Sequence, residues 1–225
     1  MGHPTVVDTV EYSPGRLADV YPEPSRPTVL MWHGAQTDSR AAMRPLAERV
    51  HEHGASVVLA DWDSHADDGG RADLLASARF AAQRAEGRPL VLVGWSMGGL
   101  AAAGLTLRAA EFGIAVAHTV CLAGAFMVRD PISGAALPSS LAGDPTPFTL
   151  LHGADDDVVP VTASEDFATV LSSNGWPVGC VVLAADHGSI AGARYDAAAD
   201  RYSAATDPSS LTVATEVAAR IAGVF

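Results

Sequence analysis

Apolar residues along this chain fall into two rhythms. Short runs such as Val29-Leu30-Met31-Trp32, Val57-Val58-Leu59-Ala60 and Val91-Leu92-Val93 have no polar interruption, the pattern of strands buried on both faces. Between them lie longer stretches whose apolar positions recur every three or four residues, the period of a helix packed on one side. Residues 5–12 and 16–21 read as a hairpin around Ser13-Pro14-Gly15, and strands follow at 28–33, 56–61, 90–95, 116–123, 148–152 and 178–184. Helices are expected at 39–53, 71–85, 97–112, 161–174 and 210–222, with Gly54 placed to cap the first. Residues 124–147, rich in Gly, Pro and Ser, carry no period. Such alternation belongs to a mostly parallel sheet with helices on both faces. Without an internal repeat or a linker, residues 1–225 read as one α/β domain.

Composition narrows the partners. Fourteen basic residues stand against 26 acidic ones, a net charge of −12, which disfavours nucleic acid and anionic membrane surfaces. No apolar run approaches the ~18 residues of a membrane span. Residues 1–5 lack the basic-then-apolar start of a secretory leader, so the expected location is the cytoplasm. Cys121 and Cys180 lie in separate apolar runs and read as buried free thiols. His65 sits among Asp61, Asp63, Asp67 and Asp68, a set expected to be a solvated acidic loop and not a metal site.

The chemistry concentrates around Ser96. The apolar strand Val91-Leu92-Val93 runs into Gly94-Trp95-Ser96-Met97-Gly98 and then into an alanine-rich helix. A Gly-x-Ser-x-Gly turn between strand and helix lifts a serine hydroxyl clear of the backbone and aims the helix N-terminus at it. Side chains at Gly94 or Gly98 would collide with the neighbouring strand or helix in so sharp a bend. The N–H of Met97, the residue after the serine, is the first expected oxyanion donor. A serine nucleophile needs a base, and the base an orienting acid. In this layout the chain order is Ser, acid, His. Candidates occur in that order, each just past an expected strand: Asp155-Asp156-Asp157 after 148–152, and His187 after 178–184. Asp186 beside it is read as shaping the loop.

These motifs resemble those of the α/β-hydrolase superfamily. His152-Gly153-Ala154-Asp155-Asp156-Asp157-Val158-Val159-Pro160 is similar to a recurring acid loop of its esterases, which maps the triad acid onto Asp156, with Asp155 and Asp157 as alternatives. His33-Gly34 at a strand end resembles the superfamily's oxyanion loop. It implies Ala35 N–H as the second donor, with Gln36 the alternative, and His33 as a loop anchor; His152 parallels it. The loop departs from the Gly-rich form of many lipases. The resemblance implies an eight-stranded, mostly parallel sheet and hydrolysis of an ester or related acyl bond without a cofactor. Its nearest flavour is a small carboxylesterase or dienelactone-hydrolase-like enzyme, although the latter carry a cysteine where this chain has Ser96. About two dozen residues separate the strands ending near Ala123 and starting near Phe148, too few for a large helical lid. The pocket is expected to depend on residues 63–70 and 124–147, with Trp32, Trp95 and Phe126 either lining it or packing beside it. Thioester, arylformamide and peptide amide bonds are alternative substrates for the same triad, and a non-catalytic binding protein is the alternative from another class. Oligomeric state is not legible.

Overall fold

A computed structural model describes residues 7–225. The expected start of the first strand at Thr5, and the reading of residues 1–5, lie outside them.

Eight strands form one sheet in the order β1-β2-β4-β3-β5-β6-β7-β8. The hairpin β1 (Asp8–Ser13) and β2 (Arg16–Tyr21) opens it, and β2 runs antiparallel to β4 (Ser56–Ala60). β3 (Thr28–Trp32), β4, β5 (Leu90–Trp95), β6 (Val116–Leu122), β7 (Phe148–Gly153) and β8 (Val178–Leu183) pair parallel. This is the mostly parallel eight-stranded sheet that the resemblance implied.

The uninterrupted apolar runs are explained by what covers each face. Along β3, Val29 and Met31 join one core while Leu30 and Trp32 join the other; Val57 and Leu59 oppose Val58 and Ala60 in the same way on β4. The first core is closed by α1 (Arg44–Glu52) and α6 (Pro208–Ala222), the second by α2 (Arg71–Arg84) and α3 (Met97–Leu107). α5 (Thr162–Ser173) packs Phe167 and Leu171 on Phe148 and Leu150 of β7. Chains leaving adjacent β3 and β5 thus turn to opposite faces, β3 into α1 and β5 into α3. Such a switch point opens a crevice at the C-terminal strand ends.

Several expectations need correction. The helix expected over 97–112 breaks at Arg108, whose φ of −124° leaves helical geometry, and resumes as α4 (Ala109–Phe112). The final helix starts earlier than 210, because Asp207 caps it by accepting from Ser210 N–H at 2.9 Å and Pro208 occupies its first turn. Cys121 is buried as expected, but Cys180 is exposed, since β8 is the last strand and has a neighbour on one side alone. A second, two-stranded sheet, β9 (Ala193–Asp196) and β10 (Arg201–Ala204), had no counterpart in the sequence reading. Residues 124–147 hold no helix or strand. No helix among the described residues is long and apolar enough to cross a membrane.

Candidate active site

Ser96 stands at the switch point, between the end of β5 and the start of α3, with φ 56° and ψ −118°. That conformation costs a non-glycine residue on the order of 1–3 kcal/mol and persists only where the surroundings enforce it. Here they do. Ser96 N–H donates to Leu122 O at 2.8 Å, and its carbonyl accepts from Gly99, Leu100 and Ala125 N–H at 3.0–3.1 Å. The two flanking glycines allow the close approach: a Cβ on Gly94 would fall on the Gly98 carbonyl, and one on Gly98 on the carbonyls of Trp32 and His33. Strand, helix and the loop after β3 therefore meet at backbone contact around one hydroxyl.

The acid loop follows β7 and the histidine loop follows β8. His187 Nδ1 lies 2.8 Å from Asp156 Oδ2, and both side chains are buried. A carboxylate accepts only, so Nδ1–H is the donor and Nε2 keeps its lone pair. Asp156 Oδ1 accepts from Val158 and Val159 N–H at 2.9 and 2.8 Å. Burial alone would raise the Asp156 pKa, but hydrogen bonds from His152, His187 and Val159 outweigh it and hold the group ionised well below the usual carboxylate range. His152 is wholly buried, with Nε2 at 2.9 Å from Val159 O and 3.4 Å from Asp156, and Nδ1 at 2.7 Å from Ser164 Oγ. Because the Val159 carbonyl can only accept, Nε2 carries its proton and Nδ1 accepts from the Ser164 hydroxyl. Neither Asp155 nor Asp157 makes a hydrogen bond or ion pair with His187 among the described residues. Asp186 accepts from Gly188 and Ser189 N–H at 2.9 and 2.7 Å, so it ties its own loop.

His187 is held from two further sides. Trp95 Nε1–H donates to its carbonyl at 2.7 Å, with ring centroids 5.4 Å apart, and Tyr202 of β10 lies 5.9 Å away. Ser96, Gly34, Gln36 and His187 line one cavity of about 240 Å³. No hydrogen bond joins Ser96 Oγ to His187 among the described residues; catalytic hydrogen bonds are often long before a substrate binds.

The loop after β3 flanks the hydroxyl, since a Cβ on Gly34 would stand 3.2 Å from Ser96 Cβ. His33 Nδ1–H donates to Gly34 O at 2.8 Å, and Gln36 N–H donates to the same oxygen at 2.8 Å. Two donors on one carbonyl fix the Gly34–Ala35 peptide plane, and in a trans peptide the Ala35 N–H then faces the opposite way. Neither Ala35 nor Met97 N–H meets an acceptor among the described residues, whereas Gln36 N–H is already committed. His33 Nε2 accepts from Ser39 and Trp62 N–H at 3.3 and 3.2 Å. Burial pushes its pKa down to about 4, against the hydrogen bond to Gly34, so the ring stays neutral.

The pocket walls differ from expectation. Trp95 lines the cavity, but Trp32 donates to Ser77 Oγ inside the core and Phe126 stacks on Phe167 outside it. Residues 63–70 and 124–147 do not line the cavity; Val158, Tyr195, Asp200 and Tyr202 do. The β9–β10 hairpin was missed because its strands are four residues long and charged. One signal was present, the repeated Arg-Tyr pair at Arg194-Tyr195 and Arg201-Tyr202 on either side of turn-forming Asp196 and Asp200. The His65 ring has Thr37 and Asp63 as its polar partners, and no group of three or more metal-ligating side chains converges among the described residues.

No family model and no curated protein matches the chain in sequence. Solved structures do match in shape. A Pyrobaculum calidifontis esterase superposes with a TM-score of 0.72 over 97% of this chain and 85% of that one, at 16% identity. Thermogutta terrifontis esterase 2, phosphoramylated by tabun, gives 0.70 over 96% and 93%, also at 16% identity. Its butyrate-bound form gives 0.64 over 83% and 86%, at 17% identity. At these identities the likeness establishes the architecture: the chain has the α/β-hydrolase fold.

Proposed function

We propose that this chain is a serine hydrolase that cleaves small carboxylic esters through an acyl-enzyme intermediate. The observation that carries the reading is the pairing of a strained Ser96 with a buried His187–Asp156 couple at one cavity. Ser96 Oγ attacks the acyl carbon while His187 Nε2 takes its proton, and Asp156 stabilises the imidazolium that results. The N–H groups of Met97 and Ala35 receive the developing oxyanion, each worth about 3–4 kcal/mol in comparable sites. His187 then protonates the leaving alcohol, and water repeats the sequence to free the acid and restore Ser96. No cofactor enters these steps. The structural likeness to esterases from two organisms supports ester over amide as the bond cleaved. The reading carries with it a cytoplasmic, single-domain enzyme acting on a small soluble ester.

Replacement of the hydroxyl tests it. Ser96→Ala should abolish hydrolysis of p-nitrophenyl butyrate while leaving the circular dichroism and melting curve close to those of the parent. Retained turnover by the folded variant would refute the assignment.

A further inference from the structure

Beside the catalytic cavity lies a second, larger space of about 530 Å³, and the two have Val158, His187, Tyr195 and Tyr202 as walls in common. Ser96 and the oxyanion loop line the first space and not the second. Under the proposed mechanism His187 delivers its proton to the leaving oxygen, so a leaving group placed beside His187 and away from the oxyanion loop has this second space to occupy.

Its walls combine aromatic faces with negative charge. Tyr195 and Tyr202 are directly paired across the β9–β10 hairpin with centroids 5.2 Å apart, and Tyr202 stands edge-on to Trp95 at 4.9 Å. Asp155, Asp157 and Asp186 line the space, and Asp200, which accepts from the Tyr195 hydroxyl, lines the first space beside it. No ion pair with arginine reaches these four carboxylates among the described residues. The chain has no lysine, and none of its 14 arginines lines either space. Arg201 lines a different cavity beside Arg44, which Tyr202 also borders, while Tyr195 lines only the two spaces at the site. Gln36 lines the first space, and its buried Oε1 finds no donor among the described residues. The Tyr202 hydroxyl is pushed up to about 12, by burial first and then by the charges of Asp156, Asp157 and Asp186. Aromatic faces and carboxylates without a counter-cation both attract a positive group, the former most strongly where water is partly excluded.

We infer that Tyr195, Tyr202 and the surrounding carboxylates form a leaving-group subsite for an alcohol that carries a positive charge, an ammonium-bearing ester being the preferred substrate. The inference rests on the esterase reading. The reaction is unchanged in its atoms: the bond from Ser96 Oγ to the acyl carbon forms, the bond from that carbon to the alcohol oxygen breaks, and the oxygen leaves with the proton from His187 as a cationic alcohol.

Two esters of equal shape test it, 2-(trimethylammonio)ethyl butyrate and its carbon isostere 3,3-dimethylbutyl butyrate. The expected result is a kcat/KM ratio of about tenfold in favour of the cation at low salt, shrinking as ionic strength rises. Asp157→Asn and Tyr195→Leu, both at exposed positions, should each lower that ratio and together bring it towards one. A ratio of one or below in the parent, or one that neither variant moves, would overturn the subsite. If the neutral ester is hydrolysed and Ser96→Ala abolishes this, the esterase reading survives that failure. If neither ester is cleaved and Ser96 resists a fluorophosphonate, the reading has failed and the subsite falls with it.

Discussion

Asp156 carries two tasks in one carboxylate. Oδ1 is consumed by the backbone of its own loop and Oδ2 by the imidazole, so the side chain cannot rotate without losing several bonds. Asp156→Asn tests the second task with little change of shape. An amide that turns its NH₂ towards Nδ1 donates where the carboxylate accepts, and forces the ring proton onto Nε2, the atom that receives the Ser96 proton in the proposed mechanism. The expected effect is a fall in kcat on the order of 10³–10⁴ with KM little changed, the size found for such tautomer reversal in serine hydrolases. A loss under tenfold would transfer the acid's role to a neighbour. The run Asp155-Asp156-Asp157 shows why the register was not legible from the residues alone: each is an aspartate, and the distinction lies in which backbone N–H groups fold over which oxygen. Ala35 posed a similar difficulty, because a backbone donor leaves no mark in residue type. The proposal of Ala35 over Gln36 rests on hydrogen bonds made by its neighbours.

At the level of elements, the turn around Ser96 was legible because its constraint is steric and leaves glycines behind. Gly98→Ala would set a methyl group against the carbonyls of Trp32 and His33, which are backbone and cannot swing aside. Overpacking of this kind costs 1–3 kcal/mol where side chains can yield and more where they cannot. We expect at least about 3 kcal/mol lost in urea unfolding together with the proposed esterase activity. A variant of parental stability would mean that the strand and helix can separate. Parallel strands were legible for a related reason, since burial on both faces leaves no polar position to confuse the reading. The β9–β10 hairpin is the converse case. It packs one face on the catalytic loops and exposes the other, over strands too short to show a period. Thus the scaffold could be read from the chain, and one wall of the pocket could not.

For the whole molecule, the buried polar groups behind the oxyanion loop tie stability to pH. His33 has its pKa held at about 4 by burial, against an ordinary value of 6.5. The unfolded chain binds a proton at this position between those values and the folded chain does not, so stability rises with pH across the window. The contribution is complete above 6.5 and is lost as pH falls towards 4, by as much as about 3 kcal/mol. His118, lowered by burial as well, adds in the same direction. Urea unfolding from pH 7 to pH 4 should therefore show a declining free energy, and His33→Gln should flatten the decline while lowering the plateau. An unaltered slope in that variant would move the linkage to other groups. The arrangement also explains why a loop of such plain composition can hold a donor in place: neutral His33 fastens Gly34 on one side and Ser39 and Trp62 on the other.

The most direct test of the whole account is the reactivity of one hydroxyl. Folded protein treated with a fluorophosphonate should gain one adduct per chain, located on the peptide containing Ser96. Labelling should be abolished in Ser96→Ala and slowed at least about a hundredfold in His187→Ala, the range of a general-base contribution. No adduct on folded protein, an adduct on another residue, or labelling indifferent to His187 would contradict it.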